Sequence, residues 1–339
     1  MTESRTDRTS FAMSLDDIAT LVSAALMRHG CDQPNLEALV RTVVAAERDG
    51  SRSHGLFRVP GYVAALRSGR VNGRAIPRVT QKTPVVIQVD GECGFAPLAL
   101  ERGIPMLTDA AKRFGVAVMT ITRSFHFAAL WPETEAIAAE GLVAIACVSY
   151  VSCVAPFGGT KPLFGTNPIS FAWPRPGRPP VVADMATAAM AQGEVQIAAR
   201  DCRPVPLGTG LDSAGQETTD AAEILKGALL PFGGYKGSAL ALLVELLAAG
   251  AVGERFSFEA GAEDVSDGGP PRGGEFLVAI SPDLLAGPGW ASHCEEFFKR
   301  FDSIKGARLP GVRRLENRLS SAPRIVNAQL VADIRALCG

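Results

Sequence analysis

The sequence predicts a mixed α/β (α+β) fold, and three observations carry that prediction. Apolar residues recur with helical period in three segments before residue 68. After Pro77, short runs rich in Val and Ile alternate with helical stretches, the pattern of a sheet covered by helices. The chain has 339 residues, 47% apolar and 20% charged, enough to bury a large core without disulfide or metal staples. Length alone suggests roughly two domains of about 150 residues each.

Residues 1–10 are polar and read as loose. Ser14 then caps a helix whose stripe is Leu15, Ile18, Leu21, Val22, Ala25 and Leu26, with Asp17 completing the cap and Gly30 as the stop. A second helix is expected over residues 35–48, ended by Gly50, and a third over 56–67. The polar stretch 49–55 joins them. Residues 85–89 read as a strand and 97–113 as a helix. Buried strands follow at 116–121 and 142–148, with a helix near 129–140 between them. Further strands are expected at 169–173 and 181–183. Residues 237–249 form a helix apolar on most sides, hence buried. Residues 261–274, rich in Gly, Asp and Pro, are a loop. Residues 276–280 are one more strand, and helices near 291–301 and 326–337 close the chain.

Composition excludes several functions. Lys and Arg number 34 against 35 Asp and Glu, a net charge of −1, and aromatics are 6%. Neither a field for a polyanion nor base-stacking platforms are expected, so no nucleic acid. The seven Cys are scattered without a Cys-x-x-Cys pair, which suits reduced thiols and neither a disulfide framework nor a zinc site. The N-terminus lacks the apolar core of a signal peptide, and the most apolar stretch, 239–252, is too short to span a bilayer. A cytoplasmic protein with no membrane partner is expected. Neither a Gly-x-Gly-x-x-Gly after a strand nor a Walker-type Gly-Lys-Ser/Thr is present, so the usual phosphate loops are not used.

Four His are present: 29, 54, 126 and 293. His29, ending the first helix, is favoured there by the helix dipole and reads as structural. His293 reads as an exposed residue of a polar helix. His54 stands in Ser51-Arg-Ser-His-Gly55, a polar hinge, with Arg58 one helical turn on. Either Ser53 caps the turn and His54 is solvated, or a proton-shuttling imidazole sits beside a guanidinium suited to a carboxylate. His126 follows a buried strand, where α/β sites collect, or is a half-buried strand-end His. Asp184 ends a strand and either caps the next turn or faces a ligand. Glu194 is a surface charge or the group that orients an imidazole. Residues 231–238, Pro-Phe-Gly-Gly-Tyr-Lys-Gly-Ser, either start a helix plainly or let backbone N–H groups and Lys236 approach an anion. Thr166 closes a turn or points into a cleft. Residues 308–314, with three Arg at a Pro-Gly corner, read as a basic turn that grips a phosphate or lies on the surface.

Taken together, these segments resemble the malate/L-lactate dehydrogenase family that lacks a Rossmann fold. The carrying motifs are Ser51-Arg-Ser-His-Gly-Leu-Phe-Arg58, Phe125-His-Phe-Ala-Ala-Leu-Trp-Pro132, Pro162-Leu-Phe-Gly-Thr-Asn-Pro168, Asp184-Met-Ala-Thr187, Gly193-Glu-Val-Gln-Ile-Ala-Ala-Arg200 and Leu230-Pro-Phe-Gly-Gly-Tyr-Lys-Gly237. The likeness spans nearly the whole chain and is similar most of all to the Δ1-piperideine-2-carboxylate/Δ1-pyrroline-2-carboxylate reductase branch. It implies a non-Rossmann, NADPH-binding sheet domain (81–280) and a helical domain built from N- and C-terminal segments (1–80 and 281–339). It implies His54 as proton donor, Ser53 and Glu194 as its relay partners, and Arg58 and Thr166 as contacts to the substrate carboxylate. It implies a cofactor lining of His126, Phe127, Ala128, Ala129, Leu130, Asp184, Met185, Ala186, Tyr235, Lys236, Leu309, Pro310, Gly311, Val312, Arg313, Arg314 and Leu315. NADPH is expected over NADH, the substrate is a cyclic imino acid, no metal is expected, and the chain is expected to be a homodimer. Two positions depart from the pattern. Glu194 stands where these reductases carry Asp, and Phe125 where many carry His or Asn.

The implied reaction is reduction of a cyclic imine, yielding L-pipecolate or L-proline, with the hydride from NADPH and the proton from His54. A malate- or lactate-type 2-hydroxy-acid dehydrogenase on the same scaffold is the alternative. A non-catalytic ligand-binding protein is the alternative from another class.

Overall fold

Strand β1 (Ser10–Met13) leads into helix α1 (Leu15–Arg28) through a reciprocal cap. Ser14 Oγ accepts from the Asp17 N–H at 3.0 Å and Asp17 Oδ2 accepts from the Ser14 N–H. The structure, a computed structural model, describes residues 10–126 and 128–339. Helix α2 (Gln33–Asp49) stops where Gly50 takes φ +80°. The chain then makes two 3₁₀ turns, Arg52–His54 and Leu56–Arg58, before α3 (Val59–Arg67). The helix expected from residue 56 thus starts later. Pro60 has no N–H to return to the Leu56 carbonyl, so an α-type turn cannot close there.

A short hairpin, β2 (Arg78–Thr83) with β3 (Val86–Phe95), opens the sheet. Helix α4 (Ala96–Phe114) crosses over to β4 (Val116–Phe125), which is parallel to β3. Then come α5 (Trp131–Ala139), β5 (Val143–Val148), β6 (Ile169–Arg175), β7 (Arg178–Met185) and α6 (Gln192–Arg200). A small sheet follows: β8 (Gly210–Leu211), β9 (Glu217–Thr218), then α7 (Ala221–Ile224) and β10 (Ala228–Leu229). Helix α8 (Tyr235–Val244) runs on as a π-helical segment, Glu245–Ala251, and α9 (Ser257–Ala262) precedes β11 (Arg272–Ile280). The chain closes with α10 (Pro282–Ala286), α11 (Trp290–Ser303), α12 (Val312–Leu319), β12 (Arg324–Asn327) and α13 (Ala328–Cys338).

The main sheet has the order β2-β3-β4-β11-β5-β6-β7, and every pair except β3–β4 is antiparallel. Its core is Ile87, Val89, Met119, Ile121, Ala144 and Leu277 under Leu107 of α4 and Ile137 of α5. A second core joins Ile18, Val22, Leu39, Val43, Tyr62, Val331 and Ile334 to Phe95 and Phe125 at the ends of β3 and β4. There β1 pairs with β12, so the two chain ends share one layer. Phe125 is buried in this core, with Arg70 over its ring at 5.5 Å. A third core gathers Val154, Phe164, Val195, Ile224 and Leu229.

Two sequence expectations need correction. The helix beginning at α8 is not buried all round: Leu242, Leu243 and Leu246 are 48%, 43% and 53% exposed, while Gly237, Ala241, Val244, Glu245, Ala248 and Ala249 face the interior. The basic stretch 308–314 is not one turn; α12 begins at Val312, after Gly311 takes φ +87°. Residues 192–200 and β2 carried no expected element, since short polar segments show no apolar period, and the helix expected at 326–337 begins only at Ala328 because residues 324–327 pair with β1 as β12.

Candidate active site

His54 ends the first 3₁₀ turn, and Ser53 Oγ lies 3.0 Å from its Nδ1. Arg58 is buried at the end of the second turn and donates from Nε to the Ser53 carbonyl at 2.7 Å. The guanidinium is therefore anchored to the backbone that carries the imidazole. Burial, then the Arg58 charge, then His126, push the half-buried His54 imidazole down to about 3, so it is neutral at neutral pH.

One small cavity, about 50 Å³, is lined by His54, Arg58, His126, Ala128, Thr166, Tyr150 and Gln192 among others. Arg58, Tyr150 and Gln192 also line an adjoining cavity of about 450 Å³, the wider approach to the first. Thr166 sits in a turn whose next residue, Asn167, takes φ +41° and donates from Nδ2 to the buried Glu245 at 2.8 Å. That buried carboxylate also accepts from the Ser257 N–H at 3.0 Å, so the turn carrying Thr166 is fixed from behind.

Helix α6 closes the pocket through Gly193. A Cβ there would meet Arg58 Nη2 at 2.5 Å and Ser53 Cβ at 3.0 Å. Gly193→Ala should therefore push Arg58 and α6 apart and reduce kcat/KM about 10²-fold, the worth of a displacement near 1 Å. Steady-state kinetics checks this, and an unchanged value would show that α6 does not set the Arg58 position. Glu194, the next residue, points about 100° away around the helix. It is exposed and lines a different cavity, with Glu47, Arg52 and Arg200. Among the described residues no hydrogen bond joins Glu194 to Ser53 or His54.

The residues implied for the cofactor fall into three places. His126 and Ala128 face the His54 cavity. Asp184, at the end of β7, accepts from the Leu130 and Trp131 N–H groups at 2.9 and 3.0 Å. It thus caps α5, not the turn that follows its own strand, and burial pushes its carboxyl up to about 6. Leu130 is fully buried, so its side chain belongs to the core. Arg314 donates to the Val182 carbonyl at 2.6 Å and lies over the Trp131 ring, which seats residues 309–315 against β7. Gly311 touches the same strand: a Cβ would lie 2.9 Å from the Val182 carbonyl oxygen. Ala129 and Ala186 are half-buried, whereas Met185, Tyr235, Lys236 and Arg313 are exposed. Phe127 lies outside the described residues.

Sequence reasoning missed Tyr150, Gln192 and Gln196. Tyr150 lies beside Arg58, and Gln196 Oε1 accepts from Arg58 Nη1 at 3.4 Å. The available signal was the one-turn spacing of Gln192 and Gln196, which shares a face only once 192–200 is helical. It also missed Glu133 and Glu275, buried within 3.9 Å of His126 Nε2.

The model of the malate/L-lactate dehydrogenase family matches residues 13–330. The chain belongs to that family. Within it, the chain is 43% identical over 328 residues to a Δ1-pyrroline-2-carboxylate/Δ1-piperideine-2-carboxylate reductase of Pseudomonas aeruginosa, covering 94% of this chain and 98% of that protein. A reductase of the same name from Pseudomonas syringae pv. tomato is 44% identical over 339 residues, covering 99% and 98%. The crystal structure of Δ1-piperideine-2-carboxylate reductase from that bacterium superposes with a TM-score of 0.90 at 42% identity, covering 96% of this chain and 99% of that one. Membership of the malate/L-lactate dehydrogenase family fits the missing glycine fingerprint. In the main sheet, among the described residues, only β3 and β4 run parallel, unlike the parallel array on which that loop is built.

Proposed function

We propose that the chain reduces the cyclic imines Δ1-piperideine-2-carboxylate and Δ1-pyrroline-2-carboxylate to L-pipecolate and L-proline, with NADPH as the reductant. The observation that carries this reading is the convergence of His54, Arg58 and Thr166 on one cavity beside His126 and Ala128. A nicotinamide cofactor suits the residues present. Ala128 leaves room for a flat ring beside His54, while Lys236 and Arg313 offer exposed cations to phosphates. Arg308 and Arg313 favour NADPH over NADH, since the extra phosphate rewards added positive charge.

When bound, reduced nicotinamide supplies a hydride. Arg58 pairs with the substrate carboxylate as a fork and fixes which face of the C=N bond is presented. Thr166 offers its hydroxyl to the same carboxylate. His54 delivers the proton that ends on the ring nitrogen as the carbon gains hydride, and Ser53 holds the imidazole orientation through Nδ1. The same arrangement would reduce a 2-oxo acid, with the proton going to oxygen. The deciding experiment is nicotinamide oxidation by NADPH and NADH, each with the two imines, oxaloacetate and pyruvate. Higher kcat/KM for an imine with NADPH supports the reading; preference for a keto acid, or no turnover, overturns it.

The depressed His54 pKa gives a pH prediction. A bound carboxylate cancels the Arg58 charge, so the imidazole pKa rises and a proton is taken up. Pyrrole-2-carboxylate, a flat analogue without a basic ring nitrogen, should bind with net proton uptake that grows as pH falls below neutral, since relief of the Arg58 charge lifts the imidazole from its free-state value of about 3. Calorimetry in two buffers of different ionisation enthalpy measures it. Proton release, or no buffer dependence, contradicts the assignment.

We also infer a cytoplasmic homodimer. The unpaired thiols suit a reducing compartment. The exposed Leu242, Leu243 and Leu246 form an apolar face suited to a second copy. Light scattering should give twice the chain mass, and Leu243→Asp with Leu246→Asp should halve it; a monomeric wild type would exclude the dimer.

A further inference from the structure

We propose that His126, Glu133 and Glu275 form a binding site for one divalent transition-metal ion, which pins the end of β4 to α5 and β11. The three residues come from three elements. His126 follows the last residue of β4, Glu133 is in the first turn of α5, and Glu275 is on β11, the strand next to β4. They are 6%, 4% and 1% exposed.

The polar atoms face one another without partners. His126 Nε2, Glu133 Oε1 and both Glu275 carboxylate oxygens are buried and meet no N–H or hydroxyl donor, and the two carboxyls can bond each other only when one of them carries a proton. Leaving such atoms bare is costly: buried polar groups that give up water without gaining a partner oppose folding. Protons do not resolve the imidazole's position. Nε2 lies 3.9 Å from Glu133 Oε1 and 3.9 Å from Glu275 Oε2, well beyond a hydrogen bond. An ion does resolve it. The three donor atoms lie within 4.8 Å of one another. A point equidistant from atoms so spaced is about 2.3–2.8 Å from each, so side-chain shifts of a few tenths of an ångström bring the donors to zinc–nitrogen and zinc–oxygen lengths of about 2.0–2.2 Å.

The donor chemistry selects the ion class. Two carboxylates balance a divalent charge, and one imidazole favours Zn²⁺ or Mn²⁺ over the all-oxygen preference of Ca²⁺. An entry path exists. His126 and Glu133 line a cavity of about 270 Å³ between α2 and α4, with Arg41, Thr42 and Pro97 also on its wall. The nearby Asp184 is already engaged, since its Oδ2 accepts from two backbone N–H groups. The ion would act as a clasp behind His126, without touching the reacting atoms, and the inference stands apart from which substrate is reduced.

The test uses the whole protein stripped with EDTA and desalted. Mn²⁺, which thiols bind poorly, is the first probe and Zn²⁺ the second. Wild type should retain one Mn²⁺ or Zn²⁺ per chain by elemental analysis, and the ion should raise its Tm. Glu133→Gln and Glu275→Gln should each bind at least ten-fold more weakly and lose the metal-dependent Tm rise. A wild type that retains no ion and shows no Tm change overturns the proposal, whether or not the variants fold. So does equal binding in wild type and Glu133→Gln. A Glu275→Gln protein that melts higher than a metal-free wild type would instead assign the cluster to carboxyls held by shared protons.

Discussion

His54→Ala lowers kcat by about 10²–10⁴-fold, the worth of a positioned general acid, and leaves cofactor affinity nearly unchanged. On the proposed mechanism the effect belongs to kcat, because the imidazole acts on the nitrogen only as the carbon accepts hydride. Its position is over-determined: Ser53 Oγ holds Nδ1 at 3.0 Å, and the Ser53 carbonyl is itself gripped by Arg58 at 2.7 Å. Removing the ring leaves the carboxylate contacts in place, so KM should move by less than kcat. Steady-state kinetics with a cyclic imine checks this, and an unaltered kcat would take His54 out of the mechanism.

Arg58→Lys produces the second large effect, a rise in KM of about 10–150-fold. That range corresponds to the roughly 1.5–3 kcal/mol carried by a hydrogen bond to a charged group. Lys keeps the charge but not the fork. One ammonium cannot both hold the Ser53 carbonyl and meet a carboxylate in two parallel bonds. The substrate should therefore bind loosely and in more than one orientation. Equal KM in the variant would place the carboxylate elsewhere in the cleft. Because the anchored carbonyl belongs to the residue before His54, a modest loss in kcat should accompany the change.

Much of this arrangement was legible in the sequence. Strong periodicity located α1, α2 and α4, and Val-rich runs located β3, β4 and β5, because buried faces write their period into the chain. The hinge 51–58 was identifiable by its polarity and by the His54–Arg58 spacing, although the chain there forms two 3₁₀ turns in place of one helix. Glu194 was legible as a carboxylate near the site but not as an outward-facing one. That depends on Gly193 being the α6 residue pressed against Arg58, a packing fact invisible in one dimension. Asp184 was readable as a cap, yet its target, the start of α5, lies more than fifty positions earlier in the chain. The β1–β12 pair, the Glu133–Glu275 juxtaposition and the exposed face of α8 share a cause: each depends on which distant segments become neighbours.

The most direct test is a structure of the chain with oxidised cofactor and L-proline or L-pipecolate bound. The carboxylate should lie in a two-bond pair with Arg58, the ring nitrogen within hydrogen-bond reach of His54 Nε2, and C2 facing the nicotinamide across Ala128. An amino acid bound with its carboxylate away from Arg58, or its nitrogen out of reach of His54, would contradict the account.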